Sequence, residues 1–211
     1  GEVLDLLNEL SLDNNTIIFL SGDNGGQSYF ETDDRPHGFF APNLNPSTGL
    51  RFRAGKGSLY EGGLKVPYLV RWPGHVRAGA VSDHLLCFQD VMPTLADLAD
   101  AACPPTDGIS FLPTLLDSRD QLEHDFLYWE FKNQLAVRMN QWKAYRNKND
   151  PWELYDLSKD TEESNNISAN HSGLLEQLVR HARESHQPIV PGEVFNREII
   201  EKDRRQAPHQ R

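Results

Sequence analysis

The stretch from Thr16 to Gly74 constrains this chain more than any other. It opens with Thr16-Ile-Ile-Phe-Leu-Ser-Gly, a short apolar run of the kind that makes a fully buried strand. The run stops at Asp23-Asn24-Gly25-Gly26, where the glycines beside an acid and an amide let the backbone turn tightly. Asp23 and Asn24 are therefore expected at the carboxyl end of a buried strand, the place where open α/β sheets carry their ligands. After a polar loop the chain continues through Gly55-Lys56-Gly57-Ser58, Glu61-Gly62-Gly63 and Val66-Pro67. A second strand is expected from Tyr68 to Trp72, closed by Pro73-Gly74.

These residues make chemical sense together. Asp23 offers a carboxylate and Asn24 an amide carbonyl, both hard oxygen ligands of the kind Ca²⁺ and Mg²⁺ prefer. Lys56 stands between glycines that let an anion approach the backbone, and its ammonium suits a sulfate or phosphate oxygen. A cation and a lysine around one oxyanion would stabilise charge as an ester bond breaks. Taken singly, Asp-Asn-Gly-Gly is a turn and Gly-Lys-Gly a loop. The Gly-Lys-Gly-Ser run also lacks the first glycine of a nucleotide-binding loop. Only the combination points to a site.

That combination resembles the second half of the catalytic domain of an arylsulfatase-type sulfatase, within the alkaline-phosphatase-like superfamily. The family pattern is a strand ending in (S/T)-x-D-N-G, then G-K-G-S-x-x-E-G-G-x-x-V-P, then an apolar run closing in W-P-G. Ser21 to Gly25, Gly55 to Pro67 and Trp72-Pro73-Gly74 supply all three in order. The resemblance implies that Asp23 and Asn24 hold Ca²⁺ and that Lys56 is catalytic, contacting the sulfate and the bridging oxygen. It also implies a formylglycine nucleophile made from Cys or Ser in C/S-x-P/A-x-R, and that pattern does not occur here. Cys103-Pro-Pro-Thr-Asp107 has an aspartate where the arginine belongs. The family's paired N-terminal aspartates, catalytic histidine and second lysine have no matching positions either. The resemblance spans nearly all of this chain but about half of a family member, so the chain alone is expected to lack activity.

The 211 residues can bury a sizeable core. The formal charge of −10 argues against a general nucleic-acid binder, because no basic stripe exists to neutralise phosphates. It does not exclude an anionic substrate, which local positive charge and a metal decide. The first residue is Gly1 and the opening Glu2 to Leu10 already has helical apolar spacing, which reads as a start cut from a longer protein. There is no charged and apolar leader and no run approaching the length of a membrane helix, so the chain as given reads as soluble. Sulfatases are often exported to the periplasm, outside the cell or to the lysosome, and the resemblance implies no more than that about location.

The segment from Gln27 to Gly49 has a loop composition, with Pro36, Pro42 and Pro46, and carries His37 with Phe39 and Phe40. A loop this long is functional or mobile. Placed over the site it would make His37 a substrate-binding residue; a surface excursion fits the composition equally. Asp90 to Ala99 is an amphipathic helix with Pro93 in its first turn, and Asp107 to Leu115 reads as structural support.

Beyond position 120 the texture changes. Phe126 to Phe131, Gln134 to Met139, Trp142 to Arg146 and Glu153 to Leu157 are aromatic or β-branched runs between polar turns, the signature of an antiparallel meander. Gly173 to Ser185 supplies a closing helix with Leu174, Leu175, Leu178, Val179 and Ala182 on one face. The expected class is α/β. It comprises the second half of a mixed sheet with flanking helices (1–120), a four-stranded antiparallel subdomain with a C-terminal helix (121–187) and a charged tail (188–211). The meander aromatics are expected in the core, with Trp129 and Glu130 as candidate substrate contacts because their strand resembles one that nears the cleft in carbohydrate sulfatases. The implied substrate is a sulfated small molecule or carbohydrate. A phosphoric or phosphonic monoester hydrolase of the same superfamily, and a non-catalytic module retaining the fold, are the competing readings.

Overall fold

A computed structural model of the chain describes residues 1–26, 44–45 and 47–187. His37, most of the 27–49 loop and the 188–211 tail lie outside the described residues. No helix among the described residues is long and apolar enough to cross a membrane.

The amphipathic opening forms helix α1, Glu2–Glu9, but buries none of its residues. Val3 and Leu6 are 71% and 53% exposed. The first apolar run becomes strand β1, Ile18–Ser21. After it come a one-turn helix α2, Glu61–Leu64, and strand β2, Tyr68–Arg71. β1 and β2 pair antiparallel, with Ile18 opposite Arg71 and Ser21 opposite Tyr68. The expectation of a fully buried β1 is corrected. Among the described residues it has a single sheet neighbour, so one face of the ribbon stays open and Leu20 and Leu69 are exposed. The other face packs through Phe19 and Tyr68 edge-on or tilted against Phe111, whose ring is buried.

Helix α3, Val91–Leu98, follows with Pro93 near its start, where its missing N–H costs nothing. The buried Asp90 carboxylate fixes this region, accepting from Cys87 N and Ile109 N and meeting His124 Nε2 at 2.9 Å. Thr94 then passes the restraint on, since Phe111 N donates to its hydroxyl. The Asp107 to Leu115 segment, ending in the short helix α4, Leu112–Leu115, is thus held onto α3 and carries Phe111 beneath β1.

The meander forms as four strands in sequential order: β3 Leu127–Phe131, β4 Gln134–Met139, β5 Trp142–Asn147 and β6 Glu153–Asp156. Two-residue connections fix the register, with Phe131 opposite Gln134 and Met139 opposite Trp142. Helix α5, Ser172–Ser185, covers one face of this sheet.

Side chains alternate along a strand, so the register decides what each face holds. Tyr128, Val137, Ala144 and Leu154 lie in one cross-strand row. They meet Leu178 and Ala182 of α5, and Val137, Ala144, Leu154 and Leu178 are fully buried. Each large apolar side chain so buried contributes roughly 1.5–3 kcal/mol. The opposite row holds Trp129, Ala136 and Tyr145. That face packs against Leu59 and Tyr60, the residues immediately after the Gly55–Ser58 loop. The four-stranded sheet is therefore the platform on which the lysine loop sits.

Candidate functional site

The structure brings the two motif segments into direct backbone contact. Gly25 N donates to Gly63 O at 3.0 Å, and Lys56 N donates to Gly26 O at 2.9 Å. Glycine is needed here for proximity. A Cβ on Gly25 would stand 1.7 Å from Gly62 O, and one on Gly55 would stand 2.4 Å from Gly26 O. Gly57 differs, since its φ of 89° lies in the left-handed region that favours glycine. Asp23 and Asn24 thus sit at the end of β1 beside Lys56, with Asp23 and Lys56 exposed and Asn24 half-buried. The two charged side chains, Asp23 and Lys56, are thus open to solvent.

Behind the loop lies a set of contacts that the sequence pattern did not announce. Gln134, at the start of β4, accepts from Leu59 N at 3.1 Å and donates to Gly57 O at 3.0 Å. Tyr145 hydroxyl donates to the same Gln134 oxygen at 3.0 Å. The Tyr60 and Tyr145 rings lie 3.8 Å apart, and the Arg53 guanidinium covers Tyr60 at 3.9 Å. Arg53 also donates to Tyr155 hydroxyl and Glu163 O, and Tyr60 hydroxyl donates to Glu153. Burial and the bond to Glu153 push the Tyr60 hydroxyl well above the usual tyrosine range, so it remains a donor.

The motif glutamate is part of a buried ion cluster. Lys143 Nζ lies 2.8 Å from Glu61 Oε1 and 2.8 Å from Glu163 Oε1, and its side chain is fully buried. Glu163 Oε2 accepts from Glu61 N at 2.6 Å, and Arg138 approaches Glu61 at 3.7 Å. Burial alone would raise the Glu61 carboxyl, but Lys143 and Arg138 outweigh it and hold the group below the usual range. Glu163 ends up raised, because burial and the neighbouring Glu61 charge exceed the pull of Lys143. One ammonium between two carboxylates from different parts of the chain pins α2, and with it the lysine loop, to β5. One sequence signal was available: Lys143 falls on an inward strand position, and an interior lysine needs a partner.

Trp129 and Glu130 lie on opposite faces of the four-stranded sheet. Successive residues of β3 face opposite ways, so Trp129 packs beside Leu59 and Tyr60 on the loop side. Glu130 faces the α5 side, where Tyr128 hydroxyl and His186 Nδ1 bond its Oε2 at 2.7 and 2.8 Å. His37 lies outside the described residues.

Whether Ca²⁺ fits is a matter of donors. Asp23 and Asn24 are right in kind, but Ca²⁺ takes six to eight oxygens. Among the described residues no group of three or more His, Cys, Asp or Glu side chains could complete a site. Among the described residues, Asp23 and Asn24 alone would be a fraction of such a shell.

Comparison with known proteins decides the family. Residues 54–187 match the model for the C-terminal region of N-sulphoglucosamine sulphohydrolase, and residues 1–101 match the sulfatase model. The chain belongs to the sulfatase family. It is 30% identical over 208 residues to N-acetylgalactosamine-6-sulfatase of Mus musculus, covering 92% of this chain and 36% of that protein. It is 34% identical over 160 residues to steryl-sulfatase of Rattus norvegicus, covering 69% of this chain and 26% of that protein. The crystal structure of Ps i-CgsB superposes with a TM-score of 0.73 at 29% identity, covering 99% of this chain and 45% of that one. This sulfatase chain thus spans little more than a third of the curated relatives it matches across most of its own length.

Proposed function

We propose that this chain is the C-terminal portion of a sulfatase that hydrolyses a sulfate ester, aryl or carbohydrate, and that it is inactive alone. The observation that supports the reading is the backbone contact of the Asp23–Gly26 turn with the Gly55–Gly63 loop, the two segments that carry the hard oxygen donors and the ammonium. The relatives are named for a sulfated amino sugar and for a steryl sulfate, so the shared chemistry is a sulfate ester.

In this reading Asp23 and Asn24 are two of the ligands of a Ca²⁺ ion, which when bound supplies positive charge to the sulfate oxygens. Lys56 would supply a second positive charge toward the sulfate and the bridging oxygen, where negative charge builds as the ester bond breaks. The glycines flanking it keep side chains out of the anion's way. Arg53, Gln134 and the Glu61–Lys143–Glu163 cluster hold the backbone of the loop that carries the ammonium. A formylglycine nucleophile and the remaining metal ligands would come from sequence outside this chain, since no C/S-x-P/A-x-R pattern lies within it.

The test is turnover of an aryl sulfate. The 211-residue chain by itself is expected to give none, and a protein joining it to a sulfatase segment that carries the missing motif is expected to turn the ester over. Hydrolysis by the chain alone, or its absence in a folded joined protein, overturns the reading.

A further inference from the structure

On the α5 side of the four-stranded sheet, away from the face that carries the lysine loop, lies a cavity of about 470 Å³. Glu130, Leu135 and Arg146 form its floor as one cross-strand row of β3, β4 and β5. Lys132 and Lys148 stand in the turns at its rim, and His186 closes it from the end of α5. Asn133 and Asn149 add carboxamides beside the two lysines.

The charges here run against the rest of the chain. Three permanent cations face one carboxylate, in a protein of formal charge −10. That carboxylate is already engaged, since Glu130 Oε2 meets both Tyr128 hydroxyl and His186 Nδ1. Arg146 lies 5.0 Å over the Trp152 ring, and its buried Nε–H has no hydrogen-bond partner among the described residues. A buried charged donor without an acceptor is costly unless a ligand completes it. Lys132 and Lys148 both hold left-handed backbone, with φ of 55° and 52°, positions that Gly or Asn fills with less strain. The cavity size suits one or two sugar rings.

We propose that this cavity is a second anion-binding site that takes a sulfate or carboxylate group of a sulfated carbohydrate chain, separate from the Lys56 site. The proposal rests on the sulfatase reading for the identity of the ligand. Arg146 supplies the fixed, planar donor and the two lysines supply mobile charge. Gln134, the residue after Asn133 of the rim, bonds Gly57 O on the other face at 3.0 Å. The cavity and the lysine loop therefore share one end of the sheet, and a long polyanion bound at one can extend toward the other.

The test is calorimetric titration of the 211-residue chain with a chondroitin 6-sulfate hexasaccharide at fixed ionic strength, with inorganic sulfate as a second titrant. Saturable hexasaccharide binding is expected, weakened at least tenfold in the K132Q/K148Q double variant and unchanged in K159Q, which removes an exposed charge outside the cavity. Both variants alter exposed residues, and circular dichroism confirms folding. R146Q is expected to reduce binding as strongly, with Trp152 fluorescence reporting its position. Absence of hexasaccharide binding, indifference to K132Q/K148Q, or an equal loss in K159Q overturns the proposal. So does inorganic sulfate that binds as tightly as the hexasaccharide, since the cavity would then hold a simple ion. Failure of the sulfatase reading shows separately, as aryl sulfate turnover in the joined protein does not depend on Lys132 or Lys148.

Discussion

Replacing Lys143 with alanine removes the one ammonium that Glu61 and Glu163 share, and leaves two carboxylates facing each other in the interior. Each contact is 2.8 Å long, which at an effective dielectric of about 20 corresponds to roughly 6 kcal/mol of gross attraction. Desolvation of three charged groups offsets most of that. The net effect is better taken from pairs broken on one side, which lose about 3–5 kcal/mol because a buried charge is left uncompensated. Set against a total stability of roughly 5–15 kcal/mol, K143A is expected to lower the melting temperature by about 10 °C. Urea denaturation followed by circular dichroism measures the loss directly. A matched variant, K143M with E61Q and E163Q, removes all three charges and is expected to recover most of it. Because Glu61 lies five residues past Lys56 in the motif, K143A is also expected to expose the Gly55–Gly57 peptide bonds to protease before global unfolding. A loss below about 1 kcal/mol, or no recovery in the charge-free variant, refutes the assignment of this cluster as the anchor of the loop.

The same cluster makes stability depend on pH. The raised Glu163 stabilises the fold fully below the ordinary value of 4.5, and that contribution is lost as pH rises through its elevated folded value. E163Q lacks this term, so its stability deficit relative to wild type is expected to shrink from pH 4.5 to neutrality. Denaturant midpoints across that range would show a growing deficit if the sign is wrong. G25A drives a Cβ into Gly62 O, and is expected to cost about 1–3 kcal/mol while separating the two motif segments. Equal urea midpoints for G25A and wild type would show that the segments need not touch. Calcium titration of the chain is expected to give only millimolar binding, abolished by D23A, because two donors are a fraction of a Ca²⁺ shell. Micromolar binding would mean that further ligands lie within the chain.

The meander was legible because aromatic or β-branched runs alternate with polar turns. The Phe126–Leu157 runs became β3 to β6 with register set by short connections. The motif residues Asp23, Asn24 and Lys56 were chosen on their chemistry, and the contact of the segments that carry them follows from glycines whose missing side chains allow two backbones to meet. Other features are set by tertiary pairing. Burial of β1 depended on how many strands flank it, and a two-stranded ribbon leaves Leu20 in solvent. Gln134 and Glu163 read as ordinary polar residues at the edges of their elements, and become supports only when the sheet brings them beneath a loop 75 to 102 positions away. Trp129 and Glu130 were chosen because their strand resembles one that nears the cleft in carbohydrate sulfatases, and the pleat sends the two side chains to opposite faces.

The most direct test of the central claim is the steady-state hydrolysis of an aryl sulfate by the joined protein, wild type against K56A. Lys56 is exposed and packs in no core, so K56A is expected to leave the melting temperature unchanged. Loss of one preorganised charge at the developing oxyanion predicts a fall in kcat of about 100-fold or more. A K56A protein whose kcat stays within a few-fold of wild type would contradict the assignment of this loop to the chemistry of the ester.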